Sequence, residues 1–309
     1  MTEFPWVSVS GFGARITSTR KNLIIQKRNA DEIYTLDSVK HLLIVGGHFL
    51  SSVTVNQLIR QGACISFFDP DGTPVGAIRP FGEKNPFPLR ELQQEIPRQR
   101  NSIIIAQASM KSRIFSIEKT EELSNARLLY EGELEILKKS QEEVAYLIRL
   151  EEIWRLHRLA SDMYYEIMAR NLPAELGFRR RTLRPQMDPV NAMLSFGYAL
   201  LFGTCSVAVT GAGLDPDMGF LHEGDGSLVH DLIDPLKAGM VDPIVFHIAK
   251  ESLKSADYEI SKDRCLLSDD LMKILIKSFY SAINAEKVNN QVLSMKSTIQ
   301  ETEEFRVLY

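Results

Sequence analysis

The chain is poor in cysteine: Cys64, Cys205 and Cys265 are the only three in 309 residues, far apart and without a Cys-x-x-Cys pair. That spacing argues against a thiolate zinc site and a disulfide framework, and the thiols read as small buried hydrophobes. Long apolar runs are lacking too. No eighteen consecutive residues are both uncharged and apolar, and no basic segment followed by an apolar stretch opens the chain. Neither a membrane span nor a secretion signal is therefore expected, and the expected location is cytoplasmic. Excess positive charge is the third absence: 36 Lys and Arg stand against 40 Asp and Glu, a formal net charge of −4. Bulk attraction to nucleic acid is excluded by that balance, so any DNA contact must come from local patches. Internal repeats and low-complexity tracts are also missing.

What is present is 44% hydrophobic residues, enough to bury a sizeable core, in a length that suits two domains. Short β-rich runs at Asn22–Gln26, His41–Val45 and Cys64–Asp69 alternate with turns, and Asp69-Pro70-Asp71-Gly72 before Pro74-Val75-Gly76 predicts a tight hairpin. One helix interrupts them, capped by Ser51 or Ser52, apolar at Val55, Leu58 and Ile59, and closed by Gly62. Pro86, Pro88 and Pro97 then disfavour continuous structure and mark a linker. Beyond Arg98, apolar residues recur three and four apart through Ile103–Ile117, Leu123–Leu137 and Val144–Met168. The expected class is α+β. An N-terminal β-rich domain with one helix covers residues 1–80, a linker covers 81–97, and a larger all-α domain covers 98–309, ending in a polar tail, Ser294–Tyr309, frayed or used for contacts.

The chemistry-bearing residues concentrate between Leu172 and Asp242. Asp188 before Pro189 predicts an N-cap and a helix over Pro189–Ala208, and Asp242-Pro243 repeats that signal, so capping outweighs catalysis for both acids. Gly211, Gly213, Gly219, Gly224 and Gly226 break regularity on both sides of His222, for a ligand's approach or simply to turn. Asp231 and Asp234, three apart, share a face of a helix starting near Ser227, with His222 just upstream. This mixed nitrogen and oxygen set suits Mn²⁺ or Mg²⁺; equally, the acids solvate a helix and the histidine sits hydrogen-bonded in a loop. Five arginines, 170, 179, 180, 181 and 184, face one acid, Glu175, over residues 170–184. Such a patch suits phosphate oxygens, or else pairs with the glutamates of the preceding helices.

Three stretches then resemble the CRISPR-associated spacer integrases, the Cas-one family: HLLIVGGHFLSSVTVNQLIRQGACISFFDPDGTPVGAIRP over residues 41–80, LPAELGFRRRTLRPQMDPVNAMLSFGYALL over 172–201, and AGLDPDMGFLHEGDGSLVHDLIDPLKAGMVD over 212–242. The resemblance implies a β-domain that makes a homodimer and a helical domain holding Mn²⁺ or Mg²⁺. It also implies insertion of spacer DNA into CRISPR arrays, cutting of branched DNA, and a Cas-two-like partner. It places the family's histidine on His222 and its later acid on Asp234, with Asp231 beside it, as catalytic residues. Arg179, Arg180, Arg181 and Arg184 would position double-stranded DNA without reading its sequence. The family's helical glutamate falls on His157 when the aromatic pair is set on Tyr164-Tyr165, which makes the expected metal set His222, Asp234 and His157. An imidazole brings no negative charge, so metal-assisted transesterification at this set competes with a second expectation, a weakened or inactive DNA-binding subunit. Glu151 and Glu152 lie six and five residues earlier. A DNA-independent scaffold that dimerises through its β-domain is the third expectation.

Overall fold

Alternating apolar residues fold the first eighty positions into two four-stranded sheets and a helix. These are β1 (Trp6–Ser10), β2 (Arg15–Ser18), β3 (Asn22–Gln26), β4 (Asp31–Thr35), β5 (His41–Val45), β6 (Phe49–Leu50), α1 (Ser52–Arg60), β7 (Cys64–Phe68) and β8 (Pro74–Ile78). The computed structural model describes residues 4–27, 30–82, 87–124, 127–183, 186–262, 264–301 and 305–308. One sheet runs β1-β5-β7-β8, parallel except for the returning β8, and the other runs β4-β3-β2-β6. Ser51 caps α1 by accepting from the Thr54 amide, and Gly62 turns the chain at φ 86°.

β5 explains how the two parts of the chain join. Side chains of a strand alternate between faces. Leu42 and Ile44 enter the core between the sheets with Leu23, Ile25 and Leu58, whereas Leu43 and Val45, with Trp6 and Phe68, belong to the core of the helical region. That region comprises α2 (Arg90–Glu95), α3 (Arg98–Ser124), α4 (Glu133–Glu143), α5 (Leu150–Ala169), α6 (Pro189–Ala212), α7 (Ser227–Met240) and α8 (Asp242–Glu251). It continues with the hairpin β9 (Tyr258–Ile260) and β10 (Cys265–Leu267), then α9 (Asp269–Ala282) and α10 (Ala285–Glu301). α6 packs against β1, β5, α7, α8, α9 and α10. It alone among the described helices is long and apolar enough to cross a membrane by length and composition. A Cβ at Gly211 would stand 2.7 Å from Leu43 and 2.8 Å from Trp6, so this glycine serves close packing rather than a break near His222.

Several expectations need correction. The 81–97 span holds α2, whose Gln93 exchanges hydrogen bonds of 2.7 and 3.2 Å with the Asp215 backbone. The apolar repeat across Leu123–Leu137 is not one helix, because Gly132 at φ 84° starts α4 afresh. The helical region contains the β9–β10 hairpin. The polar tail is helical to Glu301 and buries Met295 and Ile299, one face of a repeat through Val288 and Val292 that its many polar residues obscure. Asp188 caps α6 through the Asn191 amide, as expected. Asp242 does not cap α8; its buried carboxylate accepts from the Tyr164 and Tyr198 hydroxyls. Cys205 and Cys265 are buried, whereas Cys64 is half-buried.

Candidate active site

α7 begins at Ser227 after a loop with left-handed glycines at 224 and 226, and it carries Asp231 and Asp234 one turn apart. Asp231 accepts from the Phe220, Leu221 and His222 amides at 2.5, 3.1 and 2.9 Å, and its Oδ1 lies 2.7 Å from His222 Nδ1. A carboxylate can only accept, so Nδ1 is the donor in this hydrogen bond, and Nε2 is the ring nitrogen left for another partner. Asp231 thus positions the loop and its histidine.

Asp234 is surrounded by cations. Oδ1 accepts from Lys237 Nζ at 2.8 Å and from Arg113 Nη2 at 3.1 Å; Oδ2 accepts from His157 Nε2 at 2.8 Å, from Arg113 Nη2 at 3.2 Å and from the Ser109 hydroxyl. Arg113 also donates to Ser109 Oγ at 2.8 Å. Asp234 is 3% exposed and Arg113 5%. Burial alone would raise the Asp234 pKa, but Arg113, Lys237 and His157 hold it well below the usual carboxylate range. Burial lowers the His157 pKa against the opposing pull of Asp234, with Arg113 and His222 adding to the lowering. Next to His222, burial brings His230 down to about 4; its ring centroid lies 4.8 Å from that of Phe202.

The fold therefore brings His157, His222 and Asp234 together, with the two imidazole centroids 6.1 Å apart. As arranged, these residues do not fit a hydrated divalent ion. Both Asp234 oxygens already accept from several donors, and a carboxylate offers about four lone-pair sites. Arg113 and Lys237 each pair with Asp234, so the one carboxylate among the three expected ligands is already balanced by two cations. A divalent ion beside Asp234 would meet both of those cations at close range, where two unit charges roughly 4 Å apart near a protein surface interact by about 4 kcal/mol. Among the described residues, no group of three or more His, Cys, Asp or Glu is arranged to hold a metal ion. Glu151 and Glu152 are exposed in the first turn of α5, away from the buried face that carries His157.

The arginine patch divides. Arg179 and Arg180 are exposed. Arg181 is half-buried, donating to Asn191 Oδ1 and Ser195 Oγ, each at 2.8 Å. Arg170 pairs with Glu133 at 2.6 Å, the expected alternative to phosphate binding. Arg184 lies outside the described residues. Sequence reasoning missed Arg113, Lys237 and Ser109. The available signal was position: Arg113 and Ser109 fall on the buried face of α3 with Ile105, Ala106 and Ile117, where an arginine requires a partner.

The comparisons with known proteins agree with this fold. The family model described as CRISPR associated protein Cas1 matches residues 7–281. A protein of Methanospirillum hungatei JF-1, assigned as CRISPR-associated endonuclease Cas1 2, is 36% identical over 97% of this chain and 99% of its own length. Among solved structures, a partial Cas6-RT-Cas1–Cas2 complex gives a TM-score of 0.80 at 19% identity, covering 98% of each chain. A casposase bound to its integration product gives 0.79 at 17% identity, covering 98% of this chain and 97% of that one. The chain belongs to the CRISPR-associated Cas1 family.

Proposed function

We propose that this Cas1-family chain serves CRISPR spacer acquisition as a DNA-holding subunit, a homodimer beside a Cas2-like partner in the cytoplasm, and does not itself perform strand transfer. The observation that carries the reading is Asp234, saturated by Arg113, Lys237, Ser109 and His157 where the family resemblance calls for a glutamate at position 157. Exposed Arg179 and Arg180 support phosphate contact with double-stranded or branched DNA. The Cas1–Cas2 complex and a solved TtCas1–DNA complex, as named, support the partner and ligand classes. Exposed Ile33 on β4, with Val75 and Ile78 on the edge strand β8, supports a homodimer through the β region.

The second reading is a Mn²⁺- or Mg²⁺-dependent integrase or endonuclease. Asp231 favours it by orienting His222 through Nδ1, which leaves Nε2 as the nitrogen available to a ligand, and the Methanospirillum relative's name points the same way. Strand transfer and cleavage of branched DNA with Mn²⁺, run beside a His222→Ala control, tests both. Tight DNA binding without product is expected, whereas product that depends on His222 establishes the second reading. A chain with no DNA affinity at any salt concentration is the DNA-independent scaffold.

A further inference from the structure

Lys237 lies at the edge of the Asp234 cluster and its side chain is 16% exposed, so solvent or DNA could draw it away. Arg113 has no such freedom. It is buried between Ser109, Asp234 and His157, and it rises from α3, which packs on both α5 and α7. Its Nη2 lies 3.1 and 3.2 Å from the two oxygens that an ion would need. We propose that Arg113 is the resident cation of this site: its guanidinium occupies the charge and coordination space of a divalent ion, and the chain holds DNA without Mn²⁺ or Mg²⁺.

The proposal deepens the reading of the chain as a DNA-holding subunit and names its independence of metal. It also makes His157 insufficient by itself to explain the lost donor set. A glutamate restored at position 157 would face the same guanidinium and pair with it, leaving Asp234 still saturated. Removing Arg113 at the same time would leave two carboxylates with one partly exposed lysine, and His222 Nε2 would complete a set that hard divalent cations accept.

Mn²⁺ titration of the purified full-length chain, followed by the electron paramagnetic resonance of free Mn²⁺, tests this without any variant. The expected result is no stoichiometric site in the wild type, or only weak uptake that His222→Ala leaves unchanged. One site per chain that His222→Ala abolishes overturns the proposal. The Arg113→Ala/His157→Glu double variant is expected to gain one site, while His157→Glu alone gains none. A gain by His157→Glu alone, or no gain by a folded double variant, overturns the part assigned to Arg113. DNA affinity measured in EDTA and in Mn²⁺ is expected to be the same; DNA binding that needs Mn²⁺ refutes metal independence. Absence of DNA binding in both buffers would sink the DNA-holding reading while leaving the Mn²⁺ titration to decide the role of Arg113.

Discussion

Asp231 and Asp234 stand one turn apart on the same helix and are 0% and 3% exposed, yet different chemistry compensates them. Asp231 is held by three backbone amides and one imidazole from a loop adjacent in sequence. Asp234 is held by an arginine and a histidine from two other helices and by a lysine of its own. Amide donors carry no net charge, so the Asp231 arrangement keeps its negative charge and orients His222. Arg113 and Lys237 cancel the Asp234 charge and remove its appeal to a metal. Two acids at helical spacing can thus be a positioning device and an internal ion pair.

The largest break in that comparison is Asp234→Ala, which strands Arg113 in the interior. It should cost about 3–5 kcal/mol in urea unfolding, because an unpaired buried charge is the expensive outcome. Replacing Arg113 by Met as well as Asp234 by Leu should recover most of that loss by the same principle. Asp231→Ala leaves amide donors buried without an acceptor and should cost less, about 1–3 kcal/mol. It should also release His222, seen as a change in its ring ¹⁵N shifts.

A smaller effect is pH-dependent. His230 has a folded pKa of about 4 against an ordinary 6.5, so the unfolded chain takes up its proton first. Stability from this group is complete above pH 6.5 and falls as pH drops from 6.5 to 4. His230→Gln should flatten the slope of unfolding free energy in that window, and an unchanged slope would remove His230 as a source. The smallest stability effect, within about 0.5 kcal/mol, is expected for Arg179→Ala/Arg180→Ala on the exposed loop. The same variant should lower DNA affinity and reduce the salt slope by about 2 if each arginine meets one phosphate.

Legibility in the sequence followed distance along the chain. The His41–Val45 strand, the Ser51 and Asp188 caps, and the shared face of Asp231 and Asp234 were readable because strand alternation, capping and helical spacing act over a few residues. The Asp242 role was misread because its partners Tyr164 and Tyr198 lie 78 and 44 residues away, beyond any local cue. His157 was placed by resemblance, but its hydrogen bond to Asp234 was not foreseen.

The sequence by itself determined a β-rich first part and a mostly helical second, that a histidine and two acids gather at the start of α7, and that these motifs belong with the Cas1 family. The tertiary structure alone decided what each acid does. Asp234 meets Arg113 across 121 residues and His157 across 77, because α3 packs on both α5 and α7. Charge compensation in an interior depends on which helices touch, and contact between helices is not encoded in the spacing of any one of them.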